Sequence, residues 1–278
     1  LSALNINDNC VEVTFDGEKN QAEINPHTKY VSVRVSESEK KLTIDRNWME
    51  RKNEIVVRGN SEGKEYQTKV NLNEPAKYFL QVFYEVLDSN NIKTLGSTEL
   101  VSLAEQVNFL YSFKRKYSDV ITNLNKESDN LSAEMTLYAL ANQYSGKPAT
   151  ADSGIQLLNL MIDSIGLNYE DYRLVDGSGV SHYNVVSAEL LAAILKYFYL
   201  QQPGVDGILE NRMRKTSAFK NVHAKTGTLS GVSCISGYVE AKNNHQLAFS
   251  IMMQNFVGSS KLARDLQDDI CEILSQHK

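Results

Sequence analysis

Two short clusters in this 278-residue chain hold residue types that could do chemistry together. One is Ser128-Asp129-Asn130; the other, much later, is Lys225-Thr226-Gly227-Thr228. Acyl transfer needs a nucleophile, a proton carrier, donors for a developing oxyanion and a clamp for a substrate carboxylate. Lys225 offers positive charge to a terminal carboxylate, and Thr226 and Thr228 offer hydroxyls to the same group. Gly227 lets a substrate backbone approach closely. The Thr228 N–H is placed to donate to an oxyanion. Ser128 can pass a proton between a nucleophile and a leaving nitrogen, and Asn130 can donate to a substrate amide oxygen. Each cluster also has a bland reading, Lys225 as a solvated strand residue and Ser128-Asp129-Asn130 as a helix cap.

These clusters need elements to hold them, and the chain supplies three zones. The first ~70 residues alternate like strands: 11–15, 30–35, 41–44, 54–58 and 66–70, with turns such as Gly59-Asn60-Ser61-Glu62-Gly63 between them. Pro75 suits a helix first turn. Tyr78, Phe79, Val82, Phe83, Val86 and Leu87 follow at helical spacing, and the aromatic residues Tyr78, Phe79, Phe83 and Tyr84 read as core rather than as a glycan platform. A Gly96 connector leads to a mostly helical zone, so 1–97 is expected as a β-rich domain and 98–278 as a second domain. Helices are expected over 131–144, over 155–165 and after Ser187. The end reads as three strands, 223–228, 232–240 and 246–254, turned at Gly231 and at 242–244. A closing helix after Ser259 or Ser260 carries Leu262, Leu266, Ile270, Ile273 and Leu274. An antiparallel meander with a helical lobe is a layered α/β (α+β) fold.

Composition narrows the function classes. Hydrophobic residues make up 42% and charged residues 23%, which is globular. The net charge of −5 argues against a nucleic-acid partner. No apolar run reaches the ~18–20 residues of a membrane span. Cys10, Cys234 and Cys271 are too scattered for a disulfide framework or a metal site and read as core thiols. The five histidines have no His-Glu-x-x-His spacing. No metal or other cofactor is expected.

Ser-Asp-Asn followed by Lys-Thr-Gly is two-thirds of the motif set of penicillin-interacting serine enzymes. Five ordered segments extend that match. They are Leu1-Ser2-Ala3-Leu4-Asn5-Ile6-Asn7; Asn125 to Glu134; Asp176-Gly177-Ser178-Gly179-Val180-Ser181; Gly204 to Leu209 with Arg212; and Ala224 to Val232 with Ser236-Gly237-Tyr238-Val239. On these residues the chain resembles the D-alanyl-D-alanine carboxypeptidase/endopeptidase family, the low-molecular-mass class C penicillin-binding proteins. The resemblance implies a transpeptidase or serine β-lactamase-like domain carrying a small inserted β-rich domain. It implies extracytoplasmic action, in the periplasm or cell envelope, on peptidoglycan stem peptides ending in D-Ala-D-Ala, and acylation by penicillins. Ser128, Asn130 and Lys225 would be catalytic. Thr226, Gly227, Thr228, Ser181 and His182 would bind substrate, His182 standing where the family often has a basic residue.

The family's first motif, Ser-x-x-Lys, carries the nucleophile upstream of the insertion. The four such strings here, Ser38/Lys41, Ser61/Lys64, Ser217/Lys220 and Ser275/Lys278, lack that setting. The expectation is therefore a C-terminal fragment that lacks the nucleophile, with an exposed sheet edge that pairs with a lost N-terminal piece or another chain, a homodimer included. A non-catalytic cell-wall scaffold of the same fold is the alternative. A class A β-lactamase would need a deacylating Glu about 35–40 residues after Ser-Asp-Asn, in a Glu-x-x-x-Asn setting. Residues 163–168 hold no Glu, and Glu170 is not followed by Asn at that spacing.

Overall fold

The computed structural model describes residues 2–36, 41–101, 108, 111–144, 149–201, 214–215, 221–242 and 244–277. Ser38, Ser217, Lys220, Lys278, Gly204 to Leu209 and Arg212, on which sequence expectations fell, lie outside them. The chain forms two compact units, Leu1–Leu110 and Tyr111–Lys278.

The first unit holds two small sheets and a helix. β1 (Cys10–Asp16) lies between β2 (Gln21–Asn25) and β6 (Glu65–Asn71), antiparallel to both. β5 (Glu54–Arg58) lies between β3 (Ser32–Ser36), which it meets in parallel, and β4 (Thr43–Arg46), which it meets antiparallel. Strict alternation in β1 sends Val11, Val13 and Phe15 inward. Val11 and Val13 join Val31, Ile55, Val70, Leu72, Tyr78 and Val82 in one core. The last two come from α1 (Pro75–Ser89), which has Pro75 in its first turn. The Tyr78 ring is fully buried, and its hydroxyl donates to the Cys10 carbonyl at 3.2 Å. Phe83 and Tyr84 on the same helix are exposed instead of core, because only the stripe through Tyr78 and Val82 meets the sheets.

The second unit carries both chemical clusters. Its sheet runs β10-β9-β8-β7, all antiparallel: β7 (Arg214–Lys215), β8 (Val222–Leu229), β9 (Val232–Glu240) and β10 (Gln246–Gln254). Parity along β9 explains what covers each face. Ser233 exchanges two hydrogen bonds with Gln267 of α6 (Lys261–Ser275), its Oγ donating to Oε1 at 3.2 Å and its carbonyl accepting from Nε2 at 2.9 Å. Tyr238, of opposite parity, donates from its hydroxyl to the Leu195 carbonyl of α5 (Ala188–Gln201) at 2.7 Å. Helices therefore cover both faces. Val222, Ala224, Ile235, Val239, Phe249 and Cys271 form the core on the α6 side.

The helical lobe adds α2 (Tyr117–Glu127), α3 (Asn130–Tyr144) and α4 (Ala151–Ser164). α4 opens on a reciprocal cap between Thr150 and Ser153. It lies so close to α3 that a Cβ at Gly154 would stand 2.7 Å from the Leu137 side chain. In α6, Gln267 and Cys271 are buried while Leu262, Leu266 and Ile273 are exposed, so its buried stripe is offset from its most apolar one.

Candidate active site

Ser128 sits where α2 ends and α3 begins. Its φ of 55° and ψ of 48° place it in the left-handed region, an uncommon conformation for a residue with a Cβ. Asp129 follows and caps α3. Its Oδ1 accepts from the Leu131 and Ser132 N–H groups at 3.0 and 3.2 Å, and its Oδ2 accepts from the Ser132 hydroxyl at 2.5 Å. The cap reading of this cluster thus holds for Asp129. It leaves Ser128 and Asn130 on either side with exposed side chains.

Lys225 lies on β8 directly across from Ser236 of β9. That register gives it the parity of Tyr238 and turns it toward the helical lobe rather than toward α6. The Lys225 Nζ donates to the Ser128 Oγ at 2.8 Å and to the Thr226 carbonyl at 2.8 Å. The two clusters therefore meet through one charge-assisted hydrogen bond. An ammonium in that position fixes the Ser128 oxygen as an acceptor and leaves the serine proton pointing elsewhere, which is the arrangement a proton relay needs.

Beyond Lys225, β8 is an open edge among the described residues, because β7 reaches only as far as the pair Arg214 with Ala224. Thr226, Gly227 and Thr228 are exposed there. At Gly227 nothing lies within 4 Å of where a Cβ would stand, so the protein's own packing does not require glycine. Gly237 differs. A Cβ there would be 2.1 Å from the His223 carbonyl and 2.6 Å from the Ala224 Cα, so β8 and β9 can pair in this register only over a glycine.

Ser181 and His182 lie on a loop that two carboxylates tie down. Glu134, one turn into α3, accepts at Oε1 from the Gly177 N–H at 3.1 Å, the Ser178 N–H at 2.9 Å and the Ser178 hydroxyl at 2.7 Å. Asp176 accepts from the N–H groups of Gly179 and Ser181, both at 2.7 Å, and from the Asn184 side-chain amide at 2.9 Å. Gly177 is pressed onto α3, where a Cβ would meet the Ala133 carbonyl at 2.9 Å. The bonds of Ser181 stay within its own loop, and His182 is exposed. The structure thus joins Ser128 to Lys225 and fixes the Ser181–His182 loop to the helix that Asn130 begins. Sequence reasoning gave Glu134 and Asp176 no role. The signal for one was a Gly-Ser-Gly loop, whose backbone donors need acceptors.

Of the Ser-x-x-Lys strings, the Ser61 hydroxyl donates to the Lys64 carbonyl at 2.5 Å and the Ser275 hydroxyl to the Glu272 carbonyl at 2.7 Å. Both serve local turns. Among the described residues no group of His, Cys, Asp and Glu could hold a metal ion.

A profile of the D-Ala-D-Ala carboxypeptidase 3 (S13) family matches residues 1–277. The D-alanyl-D-alanine carboxypeptidase of Actinomadura sp. (strain R39) is 31% identical over 226 residues, covering 74% of this chain and 41% of that protein. The D-alanyl-D-alanine carboxypeptidase DacB of Haemophilus influenzae is 25% identical over 282 residues, covering 89% of this chain and 57% of its own length. The chain thus spans about half the length of these curated relatives. The crystal structure of penicillin binding protein 4 from Haemophilus influenzae superposes with a TM-score of 0.82 at 19% identity, over 99% of this chain and 68% of that one. The likeness in fold therefore extends over both units.

Proposed function

The chain belongs to the D-Ala-D-Ala carboxypeptidase 3 (S13) family, and from that premise we propose that it carries the substrate-clamping part of a serine-type D-Ala-D-Ala carboxypeptidase. Its substrates would be peptidoglycan stem peptides outside the cytoplasm, with endopeptidase cleavage of cross-links as a related activity and β-lactams as acylating ligands. One observation supports this most, the 2.8 Å contact between Lys225 Nζ and Ser128 Oγ.

In this reading the terminal carboxylate meets Lys225 and the hydroxyls of Thr226 and Thr228. Lys225 and Thr226 have opposite parity, so a ligand touching both runs along the open edge of β8 as an added strand. The serine of a Ser-x-x-Lys pair of the whole protein attacks the carbonyl carbon of the penultimate residue. The Thr228 N–H donates to the oxyanion. The C–N bond breaks, and the leaving amine takes a proton relayed through Ser128, whose oxygen Lys225 holds. Water then hydrolyses the acyl-enzyme. Asn130 donates to a substrate amide oxygen, while Ser181 and His182 form the rim along which the rest of the peptide leaves. The β-rich unit is read as an insertion that adds no group to this chemistry.

The test is intact-mass measurement of the whole protein, with its native N-terminus, with and without benzylpenicillin. One adduct on one serine is expected, and Ser128→Ala or Lys225→Ala slows its formation by about 10²–10⁴-fold. No adduct on the folded protein would replace this reading with a non-catalytic cell-wall scaffold of the same fold.

A further inference from the structure

The first unit holds a cavity of about 690 Å³ that the active-site reading leaves unused. That is the size of an ordinary small-molecule site. α1 makes one wall of it. Lys77, Leu80, Gln81 and Tyr84 stand at positions i, i+3, i+4 and i+7, so they share one face of the helix. Segment 96–100 lines the cavity as well. The chain bends at Gly96, whose φ of 89° suits glycine, and Ser97, Thr98, Glu99 and Leu100 follow along the cavity. Tyr30 completes the lining, with its hydroxyl already donating to the Asn73 carbonyl at 3.1 Å.

The groups left open there define the ligand. Leu80, Leu100 and the Tyr84 ring, 43% exposed, supply apolar surface. Gln81 spends its Nε2 on Glu85 at 2.8 Å, which leaves its Oε1 to accept. Among the described residues that oxygen, the Glu99 carboxylate and the Ser97 and Thr98 hydroxyls have no hydrogen-bond partner. The Lys77 ammonium is held by Glu74 at 2.5 Å. Open acceptors therefore outnumber open donors, and a ligand must bring donors of its own. Glu99 with Glu74 disfavours an anion, and Lys77 disfavours a cation. A peptide bound as an added strand needs a sheet edge, and neither wall is one. We propose that this cavity is a binding site for a neutral oligosaccharide. A sugar packs the C–H face of its ring on the tyrosine and donates from its hydroxyls to the acceptors beside it. Binding here needs none of the Ser128–Lys225 chemistry, so it is measured apart from acylation.

The 278-residue chain is titrated with tetra-N-acetylchitotetraose, and binding is read by saturation transfer from protein to sugar protons. A dissociation constant of roughly 0.1–1 mM is expected for so open a site. Tyr84→Ala is expected to weaken binding about tenfold with the circular dichroism unchanged. Tyr84→Phe keeps the ring and is expected to bind as the parent does. Ser97→Ala and Thr98→Val are expected to cost about fivefold for each hydroxyl lost. Trp48, the one tryptophan in the sequence, is exposed elsewhere on this unit and serves as the control. Trp48→Ala is expected to change nothing. Absence of transfer to the sugar overturns the proposal, as does displacement of the sugar by inorganic phosphate. Binding lost in Trp48→Ala but kept in Tyr84→Ala overturns it too, because the sugar then sits on the β4–β5 turn.

Discussion

The Ser128 hydroxyl is aimed by a backbone conformation that costs a residue with a Cβ about 1 kcal/mol. Such strain persists where surrounding structure imposes it, here the end of α2 and the Asp129 cap of α3. Glycine at 128 removes both the strain and the hydroxyl, while alanine removes the hydroxyl alone. Ser128→Gly is therefore expected to be about 1 kcal/mol more stable than Ser128→Ala in urea unfolding. The two should be equally slow in penicillin acylation by the whole protein; acylation restored by glycine would show that geometry, not the hydroxyl, is what matters there. Another residue-scale expectation concerns Cys271. Burial, aided by Asp268, raises its thiol from 9.0 to about 11. The folded state holds that proton where the unfolded chain has released it, so this contribution is intact below pH 9 and lost as pH rises through about 11. Unfolding free energies measured from pH 8 to 11 should fall less steeply for Cys271→Ala than for the parent, and equal slopes would dismiss the thiol as the cause.

At the scale of elements, two devices set the site: the β8–β9 register, which exists only over Gly237, and the Glu134 carboxylate, which fixes the Ser181–His182 loop to α3. Gly237→Ala drives a methyl into the His223 carbonyl and should cost about 2–3 kcal/mol in urea unfolding, with loss of penicillin acylation. Glu134→Ala leaves three loop donors without their acceptor. Faster amide exchange at Gly177 and Ser178, with β8 and β9 still protected, is the expected result, and unchanged exchange would remove the tether from the argument. Much of this framework was legible. The strand runs of the meander carry strong alternation, and Pro75 and Ser187 are local start signals, whereas the Thr150–Ser153 cap of α4 was not read from the sequence. β2 was missed because Gln21–Asn25 is short and mostly polar, and α2 because Tyr117–Glu127 is polar over most of its surface. The tether was hidden for a different reason. A glutamate one turn into a helix looks like a solvated residue until the fold brings a loop 43 positions away against it. In α6 the apolar residues were legible but not their fate, since the sheet selects the Gln267–Cys271 stripe through a buried hydrogen-bond pair with Ser233.

For the whole molecule, each unit has its own core, and among the described residues the second presents a long strand edge beside uncovered apolar side chains. β10 pairs with β9 through all nine of its residues, and its other edge carries no strand among the described residues. On the α6 side of that sheet, Leu262, Leu266 and Ile273 face outward. Unpaired backbone donors and acceptors in a row are a template for another strand, and apolar neighbours add the force to hold it. We therefore expect the 278-residue chain to self-associate at roughly 10–100 μM, more strongly as salt screens its net charge of −5. Sedimentation velocity over that range should show a species growing with concentration. Lysine at the exposed Ala248 on this edge should return it to monomer, because a charge placed there opposes a second strand. If the parent stays monomeric throughout, the edge is not a pairing surface in solution. If it associates but Ala248→Lys changes nothing, the Leu262–Ile273 face alone is the interface, and the corresponding substitution, Leu266→Lys, should dissolve it.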